Sequence, residues 1–321
     1  MIIGIDVESG ERHFSELIDG VLRSTSKLTD IKINIIGKKN NILSNYPNLL
    51  QNKQILLTNA DEVVNMDESP VSAVRKKRDS TVVVGTTLLK NNEIDCFFSP
   101  GNTGATVASS IFSLNTIIKS KKPALSASFP SKSGHETILI DIGANPELTE
   151  DNLFNNAILG LAYYSILWDK PYPTIGLLNI GSEHGKGSKI LKNAYDLISK
   201  IPSFIGNIEG YNLFNGSVDI AICDGLTGNS IIKMAESMTA FFMETISESF
   251  SVKDNKEIMQ KLYPRFFGGA PLLGVDGLVI VGHGNCTGKD IENAIELAYF
   301  LHNKNYIIRM RENIEKLISN T

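Results

Sequence analysis

Four times along this chain an apolar run of strand length halts at glycine and small polar residues, and a helical pattern follows. The junctions are Phe97-Phe98-Ser99-Pro100-Gly101-Asn102-Thr103-Gly104-Ala105, Asp141-Ile142-Gly143-Ala144-Asn145-Pro146, Ile180-Gly181-Ser182-Glu183-His184-Gly185-Lys186-Gly187-Ser188 and Asp224-Gly225-Leu226-Thr227-Gly228-Asn229. A strand–loop–helix turn points backbone N–H groups and the positive end of a helix dipole into one space, which holds phosphate without a dedicated cation. Taken alone, Gly101 and Gly104 are equally well explained as relief for a tight turn and a close helix–sheet approach. Three further junctions of the same kind favour a ligand.

The rest of the chain keeps the alternation of strand and helix, which builds a mostly parallel sheet covered on both faces, an α/β fold. Residues 1–7 read as a buried strand, and His13 to Leu28 carries Phe14, Leu17, Ile18, Val21 and Leu22 at helical spacing. Strands follow at 31–37 and 54–58 with a helix over 43–50 between them. Asp67-Glu68-Ser69-Pro70 opens a helix with acidic residues and proline in its first turn. That helix carries Arg75-Lys76-Lys77-Arg78, which reads as a solvated face or as a contact for an acidic partner. A helix over 81–90, strands at 95–98, 123–129, 136–141, 173–179 and 218–223, and a Thr149-capped helix to Trp168 come next. Asn229 and Lys233 begin a long helix whose Phe241, Phe242, Met243, Ile246 and Phe250, with Lys253 beyond, suit core packing, a dimer interface or a membrane foot. Phe266 to Gly274 precedes a strand ending at Val281, then Gly282-His283-Gly284-Asn285 and two helices. With no repeat, low-complexity stretch or linker, residues 1–321 are expected to form a single domain, with a protruding helical segment at about 227–262.

Several functions are disfavoured. A formal net charge of −4 offers no global attraction to nucleic acid. Cys96, Cys223 and Cys286 suit neither a disulfide framework nor a CxxC site, which points to a reducing cytoplasm. The five histidines include no HxxxH or HExxH spacing, so no metal is expected. The first residues enter a strand pattern with no basic region, so no secretion signal is expected either. No run approaches the roughly 18 apolar residues that span a bilayer. The Gly181–Gly187 loop fails as a P-loop because one residue is missing between its glycines and Gly187 replaces the hydroxyl that would bind magnesium. No junction reads GxGxxG, which leaves a dinucleotide cofactor unsupported. The polar residues at the strand ends are Asn102, Thr103, Asp141, Asn145, Lys186, Asp224, Asn229, Lys233 and His283. A parallel sheet places them all on its carboxyl edge, where open α/β sheets bind ligands in a crevice.

GNTGA at 101–105, DIGAN at 141–145, LLNIG and EHGKG at 177–187, GNIEG at 206–210, CDGLTGN at 223–229, and GGAPLLG with HG at 268–284 closely resemble the motif series of the bacterial phosphate acyltransferases. That family converts acyl-[acyl-carrier protein] and phosphate into acyl phosphate for phospholipid synthesis. At the N-terminus the family has Asp-Ala-Met-Gly-Gly-Asp; here Asp6 and Gly10 match, while Ser9 and Glu11 replace a glycine and the second aspartate. The resemblance implies a Rossmann-like three-layer α/β/α fold similar to isocitrate and isopropylmalate dehydrogenases and phosphotransacetylases. It also implies a homodimer, no cofactor, acyl-carrier protein and phosphate as partners, and weak peripheral attachment to the inner face of the cell membrane, near a downstream glycerol-3-phosphate acyltransferase.

Phosphate is already an anionic nucleophile, and a thiolate of pKa roughly 8.5 is a fair leaving group, so neither a serine nucleophile nor a strong base is required. The expectation is that N–H groups of Gly101 to Gly104, with Asn102 and Thr103, hold phosphate. Lys186 offsets its charge or that of the tetrahedral oxyanion, Asp141, Asn145, Asp224, Asn229 and Lys233 complete a polar wall, and His283 donates a proton or is a satisfied structural histidine. Two other readings stand beside this one. A β-decarboxylating dehydrogenase on the same fold would need a nicotinamide site and a metal-binding aspartate cluster; a non-catalytic membrane scaffold for lipid-synthesis enzymes is suggested by the altered N-terminal motif.

Overall fold

Each strand carries two rows of side chains, one for each face of its sheet, and the apolar character of both rows decides where the helices go. In the computed structural model, which describes residues 1–119, 121–170, 172–249 and 268–319, contacts gather the chain into two compact units. These are residues 1–123 with 268–308, and residues 124–267 with 309–321.

In the first unit, β1 (Ile2–Asp6), β2 (Lys32–Gly37), β3 (Ile55–Asn59), β4 (Cys96–Ser99), β10 (Ala270–Leu273) and β11 (Leu278–Val281) lie in the order β3-β2-β1-β4-β11-β10. All pairs are parallel except β10 with β11. Ile3, Ile5, Ile33, Ile35, Ile36, Phe97 and Phe98 are all buried, the continuous apolar run that burial on both faces demands. Helices α1 (Phe14–Lys27), α2 (Lys39–Asn45), α3 (Pro70–Lys76), α4 (Thr81–Lys90), α5 (Thr103–Leu114) and α10 (Gly288–Asn303) flank this sheet. Phe97 meets α4 at Gly85, where a Cβ would fall inside the ring, while Phe98 lies against Gly282. Adjacent residues of one strand thus bind opposite layers.

In the second unit, β5 (Ala124–Phe129), β6 (Thr137–Ile140), β7 (Ile175–Leu178), β8 (Phe204–Ile208) and β9 (Ile220–Ile222) lie in the order β5-β6-β9-β7-β8. Only β5 runs antiparallel to its neighbour. Ile140, Ile220 and Ile222 pack under α6 (Glu150–Trp168) around Gly160. Leu139, Ala221 and Cys223, one residue out of phase, join Ile231, Ile232 and Ala235 of α9 (Gly225–Ser249) on the other face. Helices α7 (Lys189–Ile198) and α8 (Asn212–Asn215) complete the unit, and α11 (Tyr306–Ser319) ends the chain.

The expected α/β class with its mostly parallel sheet is what forms, and the Thr149 cap with helix to Trp168 stands where it was read. Four details differ. The helix expected over 43–50 is α2 followed by a 3₁₀ turn at Leu49–Gln51, because Pro47 forces Tyr46 out of the helical region. Asp67 and Glu68 lie ahead of the α3 cap Ser69, so Pro70 is the first helical residue and no acid occupies the first turn. GGAPLLG is itself a strand, β10, rather than the approach to one. Strand β8 takes in the first three residues of GNIEG, Gly206 to Ile208, which composition alone does not mark as a strand. Phe250, Lys253, Phe266, Phe267 and residues 250–262 of the expected protruding segment lie outside the described residues, as do the side chains of Met243 and Ile246.

Alanine is the better helix former by about 1 kcal/mol, yet Gly85→Ala is expected to destabilise the protein by about 1–3 kcal/mol through overpacking against Phe97. Urea unfolding midpoints measure this; an equal or higher midpoint would show that α4 and β4 separate freely.

Candidate active site

In the first unit the loops after β1, β4 and β11 are tied around the carboxylate of Asp6, which is fully buried. Its Oδ1 accepts the N–H groups of Glu8 at 3.0 Å and Ser9 at 3.1 Å, and its Oδ2 accepts the Ser99 hydroxyl at 2.8 Å. Ser99 Oγ in turn accepts the Gly101 N–H at 3.2 Å. The Gly282 N–H donates to Ser99 O at 2.8 Å, and the Glu11 N–H to Gly284 O at 2.7 Å. Burial pushes the Asp6 pKa above the ordinary carboxylate value, against the pull of its hydrogen bonds from Ser9, Ser99 and Glu8.

Asn102 caps α5: its Oδ1 accepts the Ala105 N–H at 3.0 Å, while its Nδ2 donates to the carbonyls of Asn65 at 3.1 Å, Met66 at 3.1 Å and Glu68 at 3.3 Å. The carboxamide is therefore engaged at both ends in holding the 65–68 segment to the helix start. The first-turn amides of Thr103 and Gly104 have no acceptor among the described residues. His283, after β11, is exposed; its Nδ1 accepts the Asn285 N–H at 3.3 Å, which leaves the proton of the neutral ring on Nε2.

The second unit repeats the device. Asp141, at the end of β6 and fully buried, accepts N–H groups from Leu125 (3.0 Å), Gly143 (3.0 Å) and Ala144 (2.9 Å) on Oδ1. Its Oδ2 accepts the backbone N–H of Asn145 at 2.7 Å and the Asn145 side-chain Nδ2 at 3.1 Å. Burial raises its pKa as well, opposed by these backbone donors. The start of α9 rests on this loop: Cys223 Sγ donates to Asp141 O at 3.3 Å, the Gly225 N–H donates to Asn145 O at 3.0 Å, and a Cβ on Gly228 would collide with the Asp141 carbonyl. Asn229 stands beside Gly143 in the same cluster. Asp224 caps its own helix, accepting the N–H groups of Leu226 and Thr227 at 3.0 Å each and the Thr227 hydroxyl at 2.7 Å. Lys233 is exposed one turn beyond Asn229. Lys186, on the loop after β7, is about half exposed with its Nζ 3.6 Å from Glu183 Oε1.

The structure thus joins Asp141, Asn145 and Asn229 in one cluster, sets Asp224, Lys233 and Lys186 on the carboxyl edge of that same sheet, and places Gly101, Asn102, Thr103, Gly104 and His283 on the carboxyl edge of the other. Reading the motifs missed Asp6 and the asparagines Asn179 and Asn207. All three stand inside quoted motifs, Asp6 in the N-terminal one, Asn179 in LLNIG and Asn207 in GNIEG, but nothing in their spacing gives them a role.

The chain matches the model of the family described as fatty acid synthesis protein over residues 1–309. It is 36% identical over 338 aligned positions to the phosphate acyltransferase of Halothermothrix orenii, covering 98% of this chain and 99% of that one. It is 35% identical over 330 positions to that of Thermoanaerobacter pseudethanolicus, covering 99% and 98%. Among solved structures it is similar to a phosphotransacetylase from Streptococcus pyogenes, with a TM-score of 0.62 at 16% identity over 98% of this chain and 94% of that one. A 4-hydroxythreonine-4-phosphate dehydrogenase from Klebsiella pneumoniae is similar with a TM-score of 0.53 at 12% identity, over 94% and 97%. Likeness at such low identity concerns the fold alone.

Because the folded-state pKa of Asp6 lies above its unfolded value of 3.8, the stability this group contributes is complete below that value and is lost as pH rises through the folded one. The melting temperature of the unaltered protein should therefore gain on that of Asp6→Asn as pH falls from about 6 to about 4. A constant difference between the two would show that the carboxyl titrates alike in the folded and unfolded chains.

Proposed function

The chain belongs to the fatty acid synthesis protein family of phosphate acyltransferases, and from that premise we propose that it transfers a fatty acyl group from acyl-[acyl-carrier protein] to inorganic phosphate, giving acyl phosphate for phospholipid synthesis. A phosphate oxygen attacks the thioester carbonyl carbon, the tetrahedral intermediate collapses, and the carrier leaves as its thiolate. The protein's share is positioning and charge stabilisation. The observation that carries the phosphate half is the start of α5, where the Thr103 and Gly104 N–H groups have no acceptor among the described residues, on a loop locked by Asp6 and Asn102. Two free amides at the positive end of a helix suit an oxyanion. The Asn102 carboxamide holds this loop rather than the anion.

Of the two charges open to it, Lys186 offsets that of the tetrahedral oxyanion, which develops only as the reaction proceeds. His283 Nε2 donates a hydrogen bond to the departing thiolate, which takes up the proton that hydrogen phosphate loses as the acyl bond forms. Asn229 and Lys233 extend the polar wall that Asp141 and Asn145 shape, and Asp224 keeps the α9 start in place. No cofactor enters this chemistry.

For the acidic carrier, the Arg75–Arg78 cluster narrows to two residues. Arg75 lies over the Phe112 ring at 5.5 Å, and Lys77 bonds Glu68 and Val63 O at 2.7 Å each. Lys76 and Arg78 are left exposed beside them.

Incubation of the purified protein with acyl-[acyl-carrier protein] and phosphate should release carrier thiol and acyl phosphate in equal amounts. Hydrolysis to free fatty acid, or no reaction, would overturn the proposal. Lys186→Ala should lower turnover by about 10² with the unfolding midpoint unchanged; a near-normal rate removes Lys186 from the chemistry.

An acyl phosphate is an amphiphile, and α9 offers exposed Met234, Met238, Phe241 and Phe242 for its handover at the inner face of the membrane, peripherally, to a glycerol-3-phosphate acyltransferase. Among the described residues no helix is long and apolar enough to cross a membrane, so attachment through this face is by partial burial, at roughly 1.5–3 kcal/mol per large side chain. Phe241→Asp with Phe242→Asp should abolish liposome co-sedimentation and leave dimerisation and melting temperature intact. Loss of the dimer instead, with co-sedimentation kept, assigns the face to a second copy of the chain.

A further inference from the structure

The loop that carries Lys186 is held from below by two side-chain amides. Strands β7 and β8 pair Ile175 with Phe204 and Leu177 with Asn207, so β8 carries one extra residue between the pairs. Gly206, in this bulge, has φ +102°, a conformation that side-chain-bearing residues avoid. A bulge re-aims the side chain beside it. Here that side chain is Asn207, 6% exposed, whose Nδ2 donates to the Glu183 carbonyl at 2.9 Å and whose Oδ1 accepts from Asn179 Nδ2 at 3.2 Å. Asn179 extends the chain of bonds: its Nδ2 also donates to the Lys186 carbonyl at 3.1 Å, and its Oδ1 accepts the Ile180 N–H at 2.9 Å.

The Lys186 N–H closes the turn on Glu183 O at 3.1 Å, so that carbonyl accepts two bonds and the turn is clamped at both ends. Gly187, at φ +85°, makes the clamp possible, because a Cβ there would stand 2.6 Å from Asn179 Oδ1. A half-exposed lysine on a flexible stem gains directional value only if the backbone beneath it is fixed.

We propose that Asn207 and Asn179 are positioning residues that fix the Lys186 turn for acyl transfer, with the Gly206 bulge aiming the first of them. The inference rests on the role proposed for Lys186 and adds the device that holds it.

Asn207→Asp tests it, since it keeps the volume and the acceptor for Asn179 but sets a carboxylate oxygen against the Glu183 carbonyl. Hydrogen–deuterium exchange of residues 180–188 should rise about tenfold over the unaltered protein. Turnover should fall by roughly 10-fold to 100-fold, with KM for phosphate changed by less than about twofold, the sign of a group acting only in the transition state. Added to Lys186→Ala, the same change should lower the residual rate by less than about twofold, because both act through one ammonium group. Unchanged exchange in the 180–188 loop, or losses that multiply in the double variant, would overturn the proposal. If the unaltered protein forms no acyl phosphate, the functional reading fails by itself and the exchange arm still decides whether the clamp exists. Should Asn207→Asp not fold, Asn179→Ser removes the bond to the Lys186 carbonyl and is read by the same measurements.

Discussion

A buried carboxylate that accepts backbone N–H groups holds the working edge of each unit. Where a strand ends and a loop turns back, several amides lose their ladder partners at once, and a buried amide without a partner destabilises the fold. One carboxylate has room for about four such donors. Asp6 gathers Glu8, Ser9 and Ser99; Asp141 gathers Leu125, Gly143, Ala144 and both nitrogens of Asn145. Burying the charge is costly, which the raised pKa of both groups records. The hydrogen bonds offset that cost and give one geometry to loops that a flexible glycine-rich sequence leaves open.

The helix starts inherit this order. Asp6 and Asn102 fix the turn into α5, and Asp141 supports the turn into α9, whose first amides Asp224 then caps. The polar groups that hold the loops lie inside and the charged side chains of the edges outside: Asn102, Asp141 and Asn145 are buried, whereas Lys186, Lys233 and His283 reach solvent.

How far the sequence carries follows from the range of each signal. Helical spacing and caps are local, so α1, α4 and α6 stand close to where periodicity places them. The junctions are local too, and each is a strand end. The job of a polar residue inside a junction is decided by atoms far along the chain. Asn102 looks like a phosphate ligand until residues 65–68 arrive at its Nδ2, and Asp141 looks like a substrate contact until its own loop folds over it. Asn207 was illegible because the feature that aims it, one extra residue in β8 opposite β7, exists only once the two strands are paired.

The departures at the N-terminus illustrate the same distinction. Ser9 and Glu11 stand where the family motif has glycine and aspartate, and a reader of side chains alone sees a damaged site. The bonds that organise the edge come from their backbones: Ser9 donates its N–H to Asp6, and Glu11 donates its N–H to Gly284 O. Any non-proline residue supplies that group. The added Ser9 hydroxyl lies 2.7 Å from Thr81 Oγ1, at the first residue of α4, so it joins the loop to a neighbouring helix instead of obstructing it. Its Cβ lies so near Gly101 that a Cβ on that glycine would approach to 2.5 Å. The loop after β4 therefore tolerates a serine at position 9 only while position 101 stays glycine. The altered letters at positions 9 and 11 therefore leave in place the backbone bonds by which this loop is held.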